Sequence, residues 1–96
     1  MIEDKLKEYV RNYLKDQKKY LANHIDIDDE EHVVSIGASV LMTKYPELGG
    51  YPGGSFVQSI VNNDLFGAFS RADYINKTAI EFYLRLLYNF SPSYID

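Results

Sequence analysis

The chain lacks cysteine and tryptophan, and it has only three prolines and two histidines among its 96 residues. Without cysteine there is no disulfide, no thiolate nucleophile and no zinc site of the usual cysteine-containing kind. No apolar run approaches the roughly 20 residues that a membrane-spanning helix needs. An N-terminal apolar segment of the signal-peptide type is also missing. We therefore expect a cytoplasmic protein without a membrane partner.

Positive charge is in the minority, because ten Lys and Arg face fourteen Asp and Glu and give a net charge of −4. General nucleic-acid binders gain affinity by neutralising phosphates, so this balance argues against non-specific nucleic-acid binding. A chain of this size has room for one small core, yet it carries nine Tyr and five Phe. Since aromatic residues are enriched at protein interfaces, we expect a homo-oligomer.

Apolar residues recur at helical spacing, which predicts an all-α fold: a compact bundle of three to four helices in a single domain spanning residues 1–96. The first helix is expected to pack along the last. The helices are predicted at about 2–22, 29–44, 55–62 and 64–90.

Several residues suit the helix ends. Asp28 or Asp29 can begin the second helix, which Lys44 and the following Pro46 end. Ser55 and Asp64 are acceptable caps for the third and fourth helices. In the fourth helix, Leu65, Ala68 and Phe69 begin a run of apolar residues that keeps helical spacing to the end.

The acidic stretch at 26–31 matches no metal or catalytic motif. Counted from Asp26, an EF-hand calcium loop needs Gly in sixth place and Glu in twelfth, where this sequence has Glu31 and Gly37. A looser site built from His32 and a carboxylate stays open. His32 and Ser35 can share a helix face, but spacing indicates neither an orienting partner nor an oxyanion hole. We expect no catalytic residue, no metal, no cofactor and no enzymatic activity.

The stretch from Pro52 to Asn76 contains residues that a plain helical framework does not need. A glycine pair, an Asn-Asn-Asp run and a mid-helix glycine each cost stability relative to Ala or Leu. Gly53 and Gly54 precede a helix, where free N–H groups and the helix dipole can hold an anion. Any glycine-rich turn into a helix has the same pattern.

Positions 64, 67, 71, 74 and 78 share one face of the predicted last helix. There Arg71 suits phosphate or carboxylate, and Tyr74 suits stacking on a base. The competing interpretation pairs Arg71 with Asp64 or Asp73 at the surface and places Gly67 at a helix crossing. The predicted ligand-binding residues are Gly53, Gly54, Ser55, Asn63, Asp64, Arg71 and Tyr74.

This stretch, together with the terminal Asn-Phe-Ser-Pro, resembles a group of small bacteriophage-encoded proteins over about residues 52–92. The shared pattern is P-G-G-x-F, then N-D-L, then A-x-x-R-A-D-x-x-N. Many members continue beyond the position of Pro92, whereas this sequence stops at Asp96. The matching residues are Gly53, Gly54, Phe56, Asn63, Asp64, Leu65, Arg71, Ala72, Asp73 and Asn76.

The resemblance implies a small non-enzymatic accessory protein of the host cytoplasm, active in host interaction or counter-defence. In one hypothesis an oligomer sequesters a phosphate-bearing, nucleotide-type ligand. The ligand contacts would then be Gly53, Gly54 and Arg71 for phosphate and Tyr51 or Tyr74 for a base.

The alternative hypothesis is an inhibitor or adaptor that covers a basic site on a host enzyme with an acidic, Tyr-rich surface. Its contacts would be Tyr9, Tyr13, Tyr20 and the acidic loop 26–31. A virion or assembly component that only self-associates is a third class that the sequence leaves open.

Overall fold

The computed structural model describes residues 1–95, and within that range the chain forms six α-helices and no strand. The all-α prediction is confirmed, whereas the predicted count of three to four helices is wrong. Among the described residues no helix has both the length and the apolar character needed to cross a membrane. The helices are α1 Ile2–Gln17, α2 Glu30–Lys44, α3 Ser55–Val61, α4 Leu65–Arg71, α5 Tyr74–Thr78 and α6 Ile80–Asn89.

The predicted helix 64–90 is divided into α4, α5 and α6 by two breaks. At the first, Ala72 is extended with φ −76° and ψ 141°. The following Asp73 then begins α5, because its carboxylate accepts a 2.7 Å hydrogen bond from the Asn76 N–H. The second break is at Ala79, where φ is −97° and ψ is 5°. Apolar periodicity continues across both breaks and therefore conceals them.

Other helix ends agree with the sequence in part. α1 ends at Gln17, well before residue 22, and a 3₁₀ turn follows it. α2 begins after Asp29 and ends at Lys44, as predicted. Asp64 caps α4 by accepting a 2.9 Å hydrogen bond from the Gly67 N–H. Ser55 is not the cap of α3, because Gly54 occupies that position without a side-chain hydrogen bond.

The core lies between α1, α2, α3 and α6. α1 and α2 approach closely at Gly37, where a Cβ would lie 2.7 Å from Cγ1 of Val10. α3 adds Phe56, whose ring meets that of Tyr83 edge-on at 5.8 Å between centroids. The fully buried side chains include Leu6, Val10, Leu14, Val33, Val34, Val40, Leu41, Ile60, Phe82, Tyr83 and Leu86.

α1 also packs along α6 through tyrosines. The ring of Tyr9 meets Phe90 edge-on at 5.1 Å, and burial raises the pKa of the Tyr9 phenol. The Tyr13 hydroxyl donates to the Arg85 carbonyl at 3.3 Å and accepts from the Asn89 amide at 2.9 Å. Both tyrosines are thus half-buried and support the fold, which reduces what they can offer to a partner.

Candidate functional site

The double-glycine corner packs against α2. The Gly53 N–H donates a 2.7 Å hydrogen bond to Oγ1 of Thr43, so it is not free for an anion. A Cβ at Gly53 would lie 2.5 Å from Oγ of Ser39 and 2.6 Å from Cβ of Val57. Gly53 is therefore required by close packing. Its neighbour Gly54 is exposed, and a Cβ there would meet no atom within 4 Å.

Arg71 lies beside a shallow depression between α3 and α4. Its Nη1 donates a 3.0 Å hydrogen bond to Oγ of Ser59 and lies 3.7 Å from Oδ2 of Asp64. A Cβ at Gly67 would overlap both Asp64 Oδ2 and Arg71 Nη1, so this glycine makes room for the pair. We call this feature the Arg71 depression; its lining residues are Ser55, Gln58, Ser59, Asn62, Asp64 and Arg71.

The surroundings of Arg71 match the competing interpretation, in which it pairs with Asp64. Gly67, however, accommodates that pair and not a helix crossing. The Arg71 side chain is 47% exposed, so one side of the guanidinium remains open to solvent. An anion approaching that side would meet the nearby carboxylate as well, which weakens its attraction. The depression thus combines several donors with one opposing charge.

The other predicted ligand residues lie elsewhere. Asn63 is exposed in the turn between α3 and α4, where its φ of 60° is left-handed. Tyr74 is not on the face of Arg71, because the chain is extended at Ala72 between them. The structure therefore gathers Ser55, Asp64 and Arg71 around one depression. Gly53, Gly54, Asn63 and Tyr74 are not among the residues that line it.

Tyr74 forms a wall of a second groove, between the segment 23–29 and α5. Tyr74 is 82% exposed. The cavity at the base of the groove has a volume of about 190 Å³. We call this feature the α5 groove; its lining residues are His24, Ile25, Asp26, Asp29, Tyr74, Ile75 and Thr78, with Asn23 and Lys77 at its outer part.

The acidic loop contributes carboxylates to this groove without forming a metal site. Asp26 accepts a 3.2 Å hydrogen bond from the Asp28 N–H, which begins a 3₁₀ turn. His32 instead lies toward Asp73, with 3.5 Å between Nε2 and Oδ2. In the described part of the chain, no three His, Asp or Glu side chains are grouped so that they could hold a metal ion.

Several exposed apolar side chains lie together on α4, and the sequence interpretation missed them. Of the seven residues in this helix only Ala68 is buried. The Phe66 side chain is 88% exposed, Phe69 is 59% exposed and Leu65 is 46% exposed. We call these three residues the α4 face. Leu65 and Phe69 thus belong to the apolar run of the sequence, but they are not part of the core.

Apolar spacing gives no signal for this exposure, because the equally short α3 buries the adjacent residues Phe56 and Val57. The Lys77 ammonium lies 4.8 Å from the centre of the Phe69 ring. That contact connects the α4 face to the outer part of the α5 groove, which Lys77 also lines.

No protein-family model matches this sequence, and no curated protein or solved structure matches it. The resemblance to small bacteriophage-encoded proteins stays a prediction. Among the described residues, the surface features that bear on function are the α4 face, the Arg71 depression and the α5 groove.

Proposed function

We propose that this chain is a small, non-enzymatic accessory protein that binds a partner protein through the α4 face. The observation that carries the proposal is the exposure of Phe66 and Phe69 on one short helix. Burying a Phe side chain stabilises by roughly 1.5–3 kcal/mol, and the isolated chain forgoes most of this at both positions. Contiguous exposed aromatic side chains of this kind are typical of protein interfaces.

The backbone of α4, which carries the two aromatic residues, is held in place by the rest of the fold. Its start is capped by the Asp64 side chain, and Ala68 is fully buried against the rest of the fold. A preformed surface loses less conformational entropy on binding than a flexible one. Two aromatic side chains three residues apart are also the usual anchors when a helix docks into a groove. This supports a partner that offers an apolar groove.

Among the biological roles, this surface best supports an inhibitor or adaptor of a host enzyme, which is the role that the resemblance to phage proteins allows. The contacts would centre on Phe66 and Phe69, because Tyr9 and Tyr13 are half-buried. The competing possibility is that a second copy of this chain binds the same face, in a homo-oligomer or a larger assembly. Native mass spectrometry of the isolated protein separates it from binding to another protein.

A second candidate function is sequestration of a phosphate-bearing, nucleotide-type ligand at the Arg71 depression. The observation that favours it is the set of hydroxyl and amide groups of Ser55, Gln58 and Asn62 around the open side of the guanidinium. The Asp64 carboxylate opposes it. Calorimetry with linear and cyclic nucleotides tests this candidate. A saturable heat that Arg71→Ala abolishes supports it, and the absence of heat removes it.

Paired variants test binding through the α4 face. The double variant Phe66→Ser with Phe69→Ser removes both rings, while Tyr88→Ser changes an equally exposed aromatic residue on α6. The wild type and Tyr88→Ser should retain the same proteins from a bacterial lysate. The double variant should not retain these proteins. Retention by all three proteins, or by none, contradicts the proposal.

A further inference from the structure

The α4 face alone is too small for a stable complex. Complete burial of its three side chains would remove on the order of 400 Å² per protomer, about half of the ~800 Å² that each partner buries in a standard interface. A partner must therefore cover neighbouring surface as well. The α5 groove adjoins the α4 face, because Lys77 contacts the Phe69 ring and also lines the outer groove beside Tyr74.

The α5 groove carries acidic groups that lack a cationic partner. Asp26 and Asp29 line its cavity, and neither belongs to an ion pair among the described residues. The same holds for Asp28 between them. By contrast, Glu30 and Glu31 immediately afterwards are paired with Lys18 and Arg11. Among the residues that the structure describes, the aspartates of the groove are therefore not neutralised by ion pairs, whereas the glutamates at the neighbouring start of α2 are.

The exposed ring of Tyr74 adds a second feature that suits a cation. It stands in the wall of the groove that also contains Asp26 and Asp29. A guanidinium or ammonium group over an aromatic face is attracted by the ring, and more strongly where carboxylates lie nearby. The groove already contains His24 and, at its outer part, Lys77. An entering cation must reach the inner part, beside the two aspartates.

Building on the proposed function, we propose that the partner is a protein segment with apolar side chains for the α4 face and an arginine or lysine for the α5 groove. The apolar side chains pack on Phe66 and Phe69. The basic side chain enters between Tyr74 and the carboxylates of Asp26 and Asp29. A second copy of this chain is a poorer occupant, since it brings a net charge of −4 toward an acidic groove.

A random peptide library selected on the immobilised wild-type protein tests this inference directly. Enriched peptides should combine large apolar residues with at least one Arg or Lys. The strongest binder is then measured by fluorescence anisotropy in two forms, one with arginine and one with citrulline, which has nearly the same shape without the charge. We expect citrulline to weaken binding about tenfold, as for the loss of one charged hydrogen bond.

Variants of the groove locate the effect. Asp26→Asn with Asp29→Asn removes both charges but keeps side chains that can cap turns. Asp4→Asn with Glu47→Gln makes the same change in net charge at exposed positions that do not line the groove. The groove variant should weaken binding of the arginine peptide about tenfold, whereas the control variant should not.

A double-mutant cycle gives the decisive comparison. If the arginine occupies the groove, replacing it with citrulline should have little further effect on the groove variant. Full additivity of the two changes overturns the inference, and so does a selection that yields no peptides or yields peptides without basic residues.

The outcomes also separate this inference from the proposed function. Peptides that need Phe66 and Phe69 but are insensitive to the groove variant overturn the inference and leave the proposed function standing. Peptides insensitive to both sets of variants overturn both. A dimer of this chain that Phe66→Ser disrupts identifies a second copy as the occupant and overturns the inference.

Discussion

The Tyr83 hydroxyl donates a 2.7 Å hydrogen bond to Oδ1 of Asn76, and both side chains are buried. Asn76 also donates its backbone N–H to the Asp73 carboxylate that begins α5. The first bond connects the five-residue α5 to α6, and the second caps the start of α5. Because α5 carries Tyr74, this interior pair positions one wall of the α5 groove. Burial raises the pKa of the Tyr83 phenol, so the hydroxyl remains a donor throughout the neutral range.

Removing the Tyr83 hydroxyl should therefore destabilise the protein. Tyr83→Phe leaves Oδ1 of Asn76 buried without a donor, which costs about 1–3 kcal/mol. Urea unfolding followed by circular dichroism measures the change in free energy of unfolding. The matched control is Tyr88→Phe, since Tyr88 is 90% exposed; it should stay within about 0.5 kcal/mol of wild type. Equal effects at both positions would contradict the buried pair.

The adjacent glycines Gly53 and Gly54 should respond differently to alanine. At Gly53 the new Cβ meets Ser39 and Val57 at 2.5 and 2.6 Å, and such overpacking costs about 1–3 kcal/mol. At Gly54 the space is open, and the poorer N-cap that alanine makes is offset by the lower entropy of its unfolded chain, so the change should stay within about 0.5 kcal/mol. Thermal and urea unfolding of the two variants gives the comparison. A Gly53→Ala variant as stable as wild type would refute the close packing of the corner against α2.

Glu81 should make the stability of the fold decrease as the pH becomes acidic. Its pKa is lowered chiefly by the hydrogen bond from the Ala22 N–H, at 2.8 Å, and further by Arg85. A carboxylate with a lowered pKa stabilises the fold above its unfolded pKa, near 4.3, and loses that contribution as pH falls through the folded value. The Tm advantage of wild type over Glu81→Gln should thus be present at pH 7 and shrink below about pH 4.3.

The control for this pH dependence is Glu47→Gln. Glu47 is exposed and takes part in none of the described side-chain hydrogen bonds or ion pairs. Its Tm curve should run parallel to that of wild type from pH 7 to pH 3. If the Tm difference between wild type and Glu81→Gln is instead constant over the same pH range, the charge of Glu81 does not contribute to stability.

Arg71 should contribute little to stability. It pairs with Asp64 at 3.7 Å and donates to Ser59, but its side chain is 47% exposed. Exposed ion pairs contribute ~0–1 kcal/mol, so Arg71→Ala should lower the free energy of unfolding by no more than about 1 kcal/mol. Denaturant titration measures this, and a loss of several kcal/mol would show that the guanidinium is a structural anchor.

Much of the fold could be predicted from local signals. Asp64 caps α4 as its chemistry favours, and α2 begins after Asp29, although the Asp29 side chain makes no capping hydrogen bond, and ends at Lys44 before a proline. The breaks at Ala72 and Ala79 could not be predicted from periodicity, since apolar spacing continues through them. Asp73 is an acceptable cap, but only the contact of Asn76 with Tyr83 shows why the chain starts a new helix there.

The candidate site was less predictable, because residues that are conspicuous in the sequence have structural roles here. Gly53 fits against α2, Gly67 makes room for a side-chain pair, and Asn76 satisfies a buried hydroxyl. Conversely, Phe66 and Phe69 resemble core residues when the sequence is read alone. Their exposure depends on how α4 packs, which is chiefly against the preceding helix α3.

Site-specific photocrosslinking tests the binding role of the α4 face most directly. The photoreactive analogue p-benzoyl-phenylalanine is placed at position 66 in one protein and at position 88 in another, both exposed aromatic sites. After irradiation in bacterial cells, we expect a discrete covalent adduct with another protein from position 66 and none from position 88. Equal adduct formation at the two positions, or no adduct at position 66, would contradict the account.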